Sequence, residues 1–198
     1  MKSFCLLVSL FLASSFFANA QGLHNRNSLR IGADYLSLDA PDDLGYRYMA
    51  RYGRHVGRDR LVLEGSLGYF STPNRHLLAQ QVYLTGLPRK RITADLTIAF
   101  DLLPSSHHAL RLGGGPSIWY RSDDALRSAS YVVHQDGSVT DISVVRRKIN
   151  EVNPGYHLMG EYEYALMDNV TLGARIGIAS FTKAGISSMA GINIGYRF

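Results

Sequence analysis

The sequence predicts an all-β chain: a closed, antiparallel, eight-stranded up-and-down transmembrane β-barrel with a protruding extracellular hairpin. Three observations carry this. Apolar and polar residues alternate with period two in eight separate segments, and no stretch of length shows the 3.6-residue period of a helix. The runs last about nine to thirteen residues, the length a tilted strand needs to cross a bilayer, whereas soluble strands more often stop at about five or six. The apolar face carries tyrosines near the segment ends and aliphatics between them. A bilayer selects that order, because a tyrosine ring sits at the interface while its hydroxyl stays in water.

The first element lies outside the barrel. Residues 1–20 hold one lysine, an apolar run and the small-residue site Ala18-Asn19-Ala20, and read as a secretory signal peptide. Residues 21–198 are then one barrel domain. Cys5 is the single cysteine and would leave with the leader, which excludes disulfides, a thiolate nucleophile and a cysteine zinc site. The chain has 21 Lys+Arg against 16 Asp+Glu, too mild an excess for a nucleic-acid binder. No apolar run beyond residue 20 is long enough for a membrane helix.

The eight segments follow in order. Leu29, Ile31, Ala33 and Tyr35 alternate with Arg30, Gly32 and Asp34. Tyr46, Tyr48, Ala50 and Tyr52 alternate with Arg47, Met49 and Arg51. Leu61, Leu63, Leu67 and Tyr69 oppose Glu64, Ser66 and Gly68. The fourth sets Ile92, Ala94, Leu96, Ile98 and Phe100 against Thr93, Asp95, Thr97 and Asp101, and the fifth sets Leu110, Leu112, Ile118 and Tyr120 against Arg111, Ser117, Trp119 and Arg121. The sixth has Val152, Tyr156, Leu158, Tyr162 and Tyr164 against His157, Glu161 and Glu163, and the seventh Val170, Leu172, Ala174, Ile176 and Ile178 against Arg175. The eighth, AGINIGYRF, alternates through Ile192, Ile194, Tyr196 and Phe198 against Arg197. Connections alternate long and short: a loop of about twenty residues follows the third segment, and an insertion over 122–150 follows the fifth. Asp136-Gly137 lies between two β-branched runs of that insertion and predicts the tip of the protruding hairpin.

The polar face places Arg30, Arg47, Arg51, Arg111, Arg121, Arg175 and Arg197 with Asp34, Glu64, Asp95, Asp101, Glu161 and Glu163. An eight-stranded barrel has room inside for side chains only, so these are expected to form a lumen network of ion pairs rather than line a pore. Lipid tolerates no open sheet edge, so the eighth segment should pair with the first.

At this point the chain resembles the small eight-stranded bacterial outer-membrane β-barrels, OmpX-like or like the transmembrane domain of OmpA, by architecture over residues 29–198 or so. The resemblance implies export to the bacterial outer membrane. It also implies that Tyr196 and Phe198 act as the insertion signal read by the barrel-assembly machinery, and a monomer in contact with outer-membrane lipid.

The remaining motifs point away from chemistry. Gly113–Pro116 lacks the Lys-Ser/Thr of a phosphate loop and falls in mid-strand. His157 with Glu161 and Glu163, and the His107-His108 pair, read as hydrogen-bonded interior and turn histidines. No catalytic group, cofactor site or metal site is expected. The function read from the sequence is a non-enzymatic outer-membrane barrel. Its loops contact lipopolysaccharide through Arg89, Lys90, Arg91, Arg146, Arg147 and Lys148, or an extracellular ligand through the 122–150 hairpin. Arginine and lysine at that height would meet lipopolysaccharide phosphates. A small pore, a lipid-modifying enzyme and a secreted lipocalin-like carrier are the other classes weighed; the last lacks a Gly-x-Trp start, the only tryptophan being Trp119.

Overall fold

The computed structural model describes residues 26–37, 44–56, 60–79, 82–103, 105, 107–134, 139–182 and 185–198, and only the backbone of 74–79 and 82–83. The expected leader, 1–20, and the expected hairpin tip at Asp136-Gly137 lie outside the described residues.

Eight strands form in chain order: β1 (Asn27–Ser37), β2 (Leu44–Val56), β3 (Leu61–Ala79), β4 (Val82–Asp101), β5 (His108–Val133), β6 (Val139–Ala165), β7 (Val170–Phe181) and β8 (Gly185–Arg197). Each pairs antiparallel with its neighbours, and β8 closes on β1 with Ile194 opposite Ile31 and Met189 opposite Leu36. Closure extends to the last residue, where Asn27 and Phe198 exchange both backbone hydrogen bonds at 2.9 Å. No edge is left in the barrel wall.

Facing follows the predicted parity, and it is inverted relative to a soluble protein. Ile31, Ile98, Ile176 and Ile192 are 59–68% exposed, while Arg30, Asp34, Arg51 and Glu163 are at most 2% exposed. Rings bracket the aliphatic band at both ends: Tyr35, Tyr46, Tyr48, Tyr69 and Tyr120 toward the long connections, Tyr162, Tyr164, Tyr196 and Phe198 toward the short turns. Tyr196 and Phe198 stack outward at 6.4 Å.

β3 and β4 depart from expectation. The stretch read as a loop of about twenty residues continues the two strands instead, pairing through Thr72↔Arg89 and Asn74↔Gly86 to Ala79↔Val82. Pro73 hid this. It falls in the register shift between Thr72 and Asn74, where its missing N–H costs no ladder bond. β5 and β6 likewise stay paired to Val133↔Val139, with shifts at Leu126/Ser128 and Ser130/Val132. Low in β5 the ladder to β4 is interrupted between Asp95↔Ser117 and Ile98↔Gly114. Pro116 has no N–H to give there, and a side chain on Gly115 would run into the carbonyl of Leu96. Glycine therefore lets β4 and β5 approach at that point.

Candidate functional site: the filled lumen and the two rims

The interior divides into layers along the barrel axis. Nearest the short turns, the Glu163 carboxylate is 2.9 Å from Arg30, accepts hydrogen bonds from Arg111 at 3.0 and 3.2 Å, and is also paired with Arg197. Asp101 lies 3.8 Å from Arg111 and accepts the backbone N–H groups of Leu103 and Leu110, so it spans network and turn. One step up, Glu64 takes Arg30 at 2.8 Å and Arg51 at 3.1 Å, and Glu161 takes Arg51. Above these, Asp34 receives Arg47 at 2.7 and 3.1 Å and Arg175 through its Nε at 2.7 Å. Asp95 receives Ser66 at 3.0 Å and Arg47 at 3.4 Å. The residues the sequence assigned to the lumen are thus brought together, except Arg121, which sits half-buried at the upper mouth with Asp123 and Glu151.

A polar trio joins the same layer. Thr97 Oγ1 lies 2.9 Å from His157 Nε2, and Ser117 Oγ lies 2.8 Å from His157 Nδ1. A serine on an imidazole has the look of a nucleophile and its base. Yet the second ring nitrogen meets a threonine where a catalytic carboxylate would be needed, and all three groups are buried. His108 is bonded to the Tyr162 hydroxyl at 2.6 Å.

The upper lumen carries a feature that period-two reasoning missed. Leu36, Phe70, Trp119, Ala179, Phe181 and Met189 form one buried apolar cluster, with the Trp119 and Phe181 rings 3.8 Å apart. Met189 Sδ touches Arg47 at 3.2 Å, so the apolar layer rests directly on the ion pairs. Above it lies Asp123, also missed. It is buried and held by Arg91 and by Arg121 Nε at 2.6 Å. Burial alone would raise this carboxyl, but the two guanidiniums hold it below the usual carboxylate range.

The six basic residues expected on the outer rim separate. Lys90, Arg147 and Lys148 are exposed. Arg91 is turned into the mouth by strand parity and is 5% exposed. Arg89 is half-buried. Arg146 bridges the two long strand pairs, reaching Asp124 at 3.1 Å and the Thr85 carbonyl at 3.1 Å.

Charges paired inside, aliphatics outside, rings at both ends and a closed wall are the inversion that a bilayer imposes on a β-protein. Solved structures agree. Neisserial surface protein A superposes with a TM-score of 0.59 at 14% identity, over 87% of this chain and 97% of that one. The chain has the fold of the small eight-stranded outer-membrane β-barrels. Ail, the attachment invasion locus protein of Yersinia pestis, gives 0.58 at 10% identity over 89% and 100% of the two chains. A major outer membrane protein of Thermus thermophilus gives 0.57 at 11% over 87% and 99%. No family model and no curated protein matches the sequence. Within such a barrel, ion pairs and an apolar layer fill the described lumen, and the outer surfaces are left to make contacts.

Proposed function

We propose that this chain is a non-enzymatic integral barrel of the bacterial outer membrane that acts through its long-connection end, on lipopolysaccharide and on an external partner. The observation that carries the reading is the apolar layer of Leu36, Phe70, Trp119, Phe181 and Met189 lying across the ion-paired lumen. An ion would have to cross both, and a hydrophobic constriction opposes its passage by dewetting. The same layer stands between the exterior and the Ser117–His157 pair, which argues against lipid chemistry inside the barrel.

Two surfaces at that end fit a binding role. Lys90 and Lys148 lie on outward rows above the aliphatic band, with Arg147 beside Lys148, all exposed, and cations in that position suit the phosphates of lipopolysaccharide. The second surface is an edge. Pairing of β6 with β7 stops at Gly155↔Phe181, and Thr182 closes it by donating to the Pro154 carbonyl. The upper part of β6 therefore has β5 on one side only among the described residues, and carries the exposed side chains of Ile142 and Val145. The far side of β5 is approached by β4, whose Leu87 N–H reaches Asp124 at 3.4 Å. An extended segment of a partner could add to the β6 edge.

Replacing Lys90, Arg147 and Lys148 together with Gln is expected to leave a barrel that folds and to lower lipopolysaccharide co-purification, most at low salt. Equal retention by parent and variant at both salt levels would make these ordinary solvated charges. In planar bilayers the parent is expected to show no conductance steps. Regular steps would establish the pore reading instead.

A further inference from the structure

We infer that the outer wall at the β8–β1–β2 seam, close to the short turns, holds the phosphodiester of an anionic phospholipid in the periplasmic leaflet. This rests on the membrane reading above. Among the described residues, the outward strand rows at the short-turn end carry one Asp, Glu, Lys or Arg side chain, and it is Arg54. It is exposed and stands beside Asn27 on β1 and Leu63 on β3. A cation placed on a lipid-facing row is tolerated only where its long side chain can snorkel to the interface.

The seam supplies the rest of a headgroup site. Tyr52, one outward step from Arg54, donates its hydroxyl to Asn27 Oδ1 at 2.9 Å, so two neutral polar groups lie next to the guanidinium. The exposed Arg26 is adjacent, its carbonyl accepting the N–H of His55 at 2.7 Å. Neither the Arg54 nor the Arg26 side chain is committed to an ion pair or hydrogen bond with a described residue. On the other flank, the stacked Tyr196 and Phe198 rings face outward beside β1, with Tyr196 opposite Leu29. Two cations next to an aromatic platform match a phosphate above a glycerol and two acyl chains. A guanidinium is the group suited to such an oxyanion, because its fork donates two parallel hydrogen bonds. The short-turn rim is polarised accordingly. His108, Tyr162 and Tyr164 form a ring cluster on β5–β6, while Arg54 on β2 and Arg26, just before β1, are gathered at the β1–β2 side.

The test is native mass spectrometry of the refolded barrel in detergent, titrated with phosphatidylglycerol or with phosphatidylcholine of the same acyl chains. The parent is expected to retain phosphatidylglycerol preferentially, by about fivefold for each contributing guanidinium. The Arg26→Gln/Arg54→Gln variant should bind both lipids alike. Arg127→Gln, which removes an exposed charge at the opposite end, should keep the preference. Equal binding of the two lipids by the parent, or an unchanged preference in the double variant, overturns the inference. Loss of preference in Arg127→Gln would also overturn it, by showing that net charge and not this seam selects the lipid. A parent that fails to fold into lipid vesicles overturns the membrane reading itself. One that folds there and shows no lipid preference overturns the seam alone.

Discussion

Asp34 is the carboxylate on which the upper half of the lumen turns, and Asp34→Asn is the substitution that tests the network most directly. Its side chain is fully buried, and the two guanidiniums it holds are 4% and 6% exposed. The substitution does not affect them equally. Arg47 keeps Asp95 at 3.4 Å, whereas Asp34 is the only carboxylate paired with Arg175 among the described residues. One buried arginine is left without a counter-charge, a situation that costs about 3–5 kcal/mol. Asp95→Asn is the internal control. It leaves Arg47 on Asp34 through bonds of 2.7 and 3.1 Å, and the amide oxygen can still accept from Ser66, so the main loss is the charge-assisted bond from Arg47, about 1.5 kcal/mol. The double variant Asp34→Asn/Arg175→Met removes both charges and should recover at least about 2 kcal/mol of the single loss. Urea titration in lipid vesicles measures all four proteins, followed by fluorescence of the one tryptophan, which packs on Phe181 just above the network. An Asp34→Asn barrel within about 1 kcal/mol of the parent, or a double variant no more stable than the single one, would refute the claim that this carboxylate neutralises Arg175.

Two further outcomes follow from facing and from the upper mouth. Ile98 is 61% exposed on the aliphatic band, so Ile98→Arg should cost about 2–4 kcal/mol in the same titration, while Thr97→Ser keeps the hydroxyl that meets His157 and should cost little; the reverse order would mean an inverted register. Asp123 has a folded pKa below its unfolded one, so its contribution is present above the unfolded value of about 3.9 and is lost as pH falls through the folded value. Asp123→Asn should therefore unfold earlier than the parent at pH 7, and the two unfolding midpoints should converge on acidification. A gap that persists in acid would assign the effect to packing.

What the sequence made legible was whatever obeys parity. The outward aliphatics and the inward charges follow from the two-residue period of a strand, and closure of β8 on β1 follows from the bilayer's intolerance of an open sheet edge. Parity also fixes the fate of Arg91, which a reading of Arg89-Lys90-Arg91 as one cationic triplet obscures. The apolar layer was hidden for the opposite reason. Leu36 and Phe70 occupy inward positions next to apolar outward ones, so the pairs Tyr35-Leu36 and Tyr69-Phe70 read as the ends of alternating runs, while Phe181 lies past the last aliphatic of its run, between Ser180 and Thr182. Asp123 lay in a stretch taken for an insertion, although β5 continues through it in register with β6. Arg26 and Arg54 are remote in sequence, and only the β1–β2 pairing brings them together. Closure apart, signals carried by position along one strand were readable, while those created by the meeting of two strands were not.

That distinction bears on why the lumen is charged at all. A buried ion pair is weak as a source of stability, since desolvation offsets most of the attraction. It is strong against misregistry. A slip of one residue sends every inward side chain of a strand to the lipid face. On β1 that would put Arg30 and Asp34 into the bilayer, and on β2 Arg47 and Arg51, with each arginine near the midplane costing about 2–4 kcal/mol. An apolar interior would carry no such penalty, because leucine is equally at home on either face. The six buried arginines and their partner carboxylates, among the described residues Arg30, Arg47, Arg51, Arg91, Arg111 and Arg175 with Asp34, Glu64, Asp95, Asp123, Glu161 and Glu163, thus act mainly to make one pairing the only acceptable one. The expectation is specific to assembly. A barrel with Arg51→Met and Glu161→Gln loses one charge of each sign and keeps Arg30 on Glu64 and Glu163 and Arg111 on Glu163; it should approach the parent in stability once folded, yet give a larger fraction of slowly refolding or unfolded chain on a heat-modifiability gel. If this double variant folds into vesicles with the parent's yield and rate, register is set by the turns and by closure, and the ion pairs only fill space.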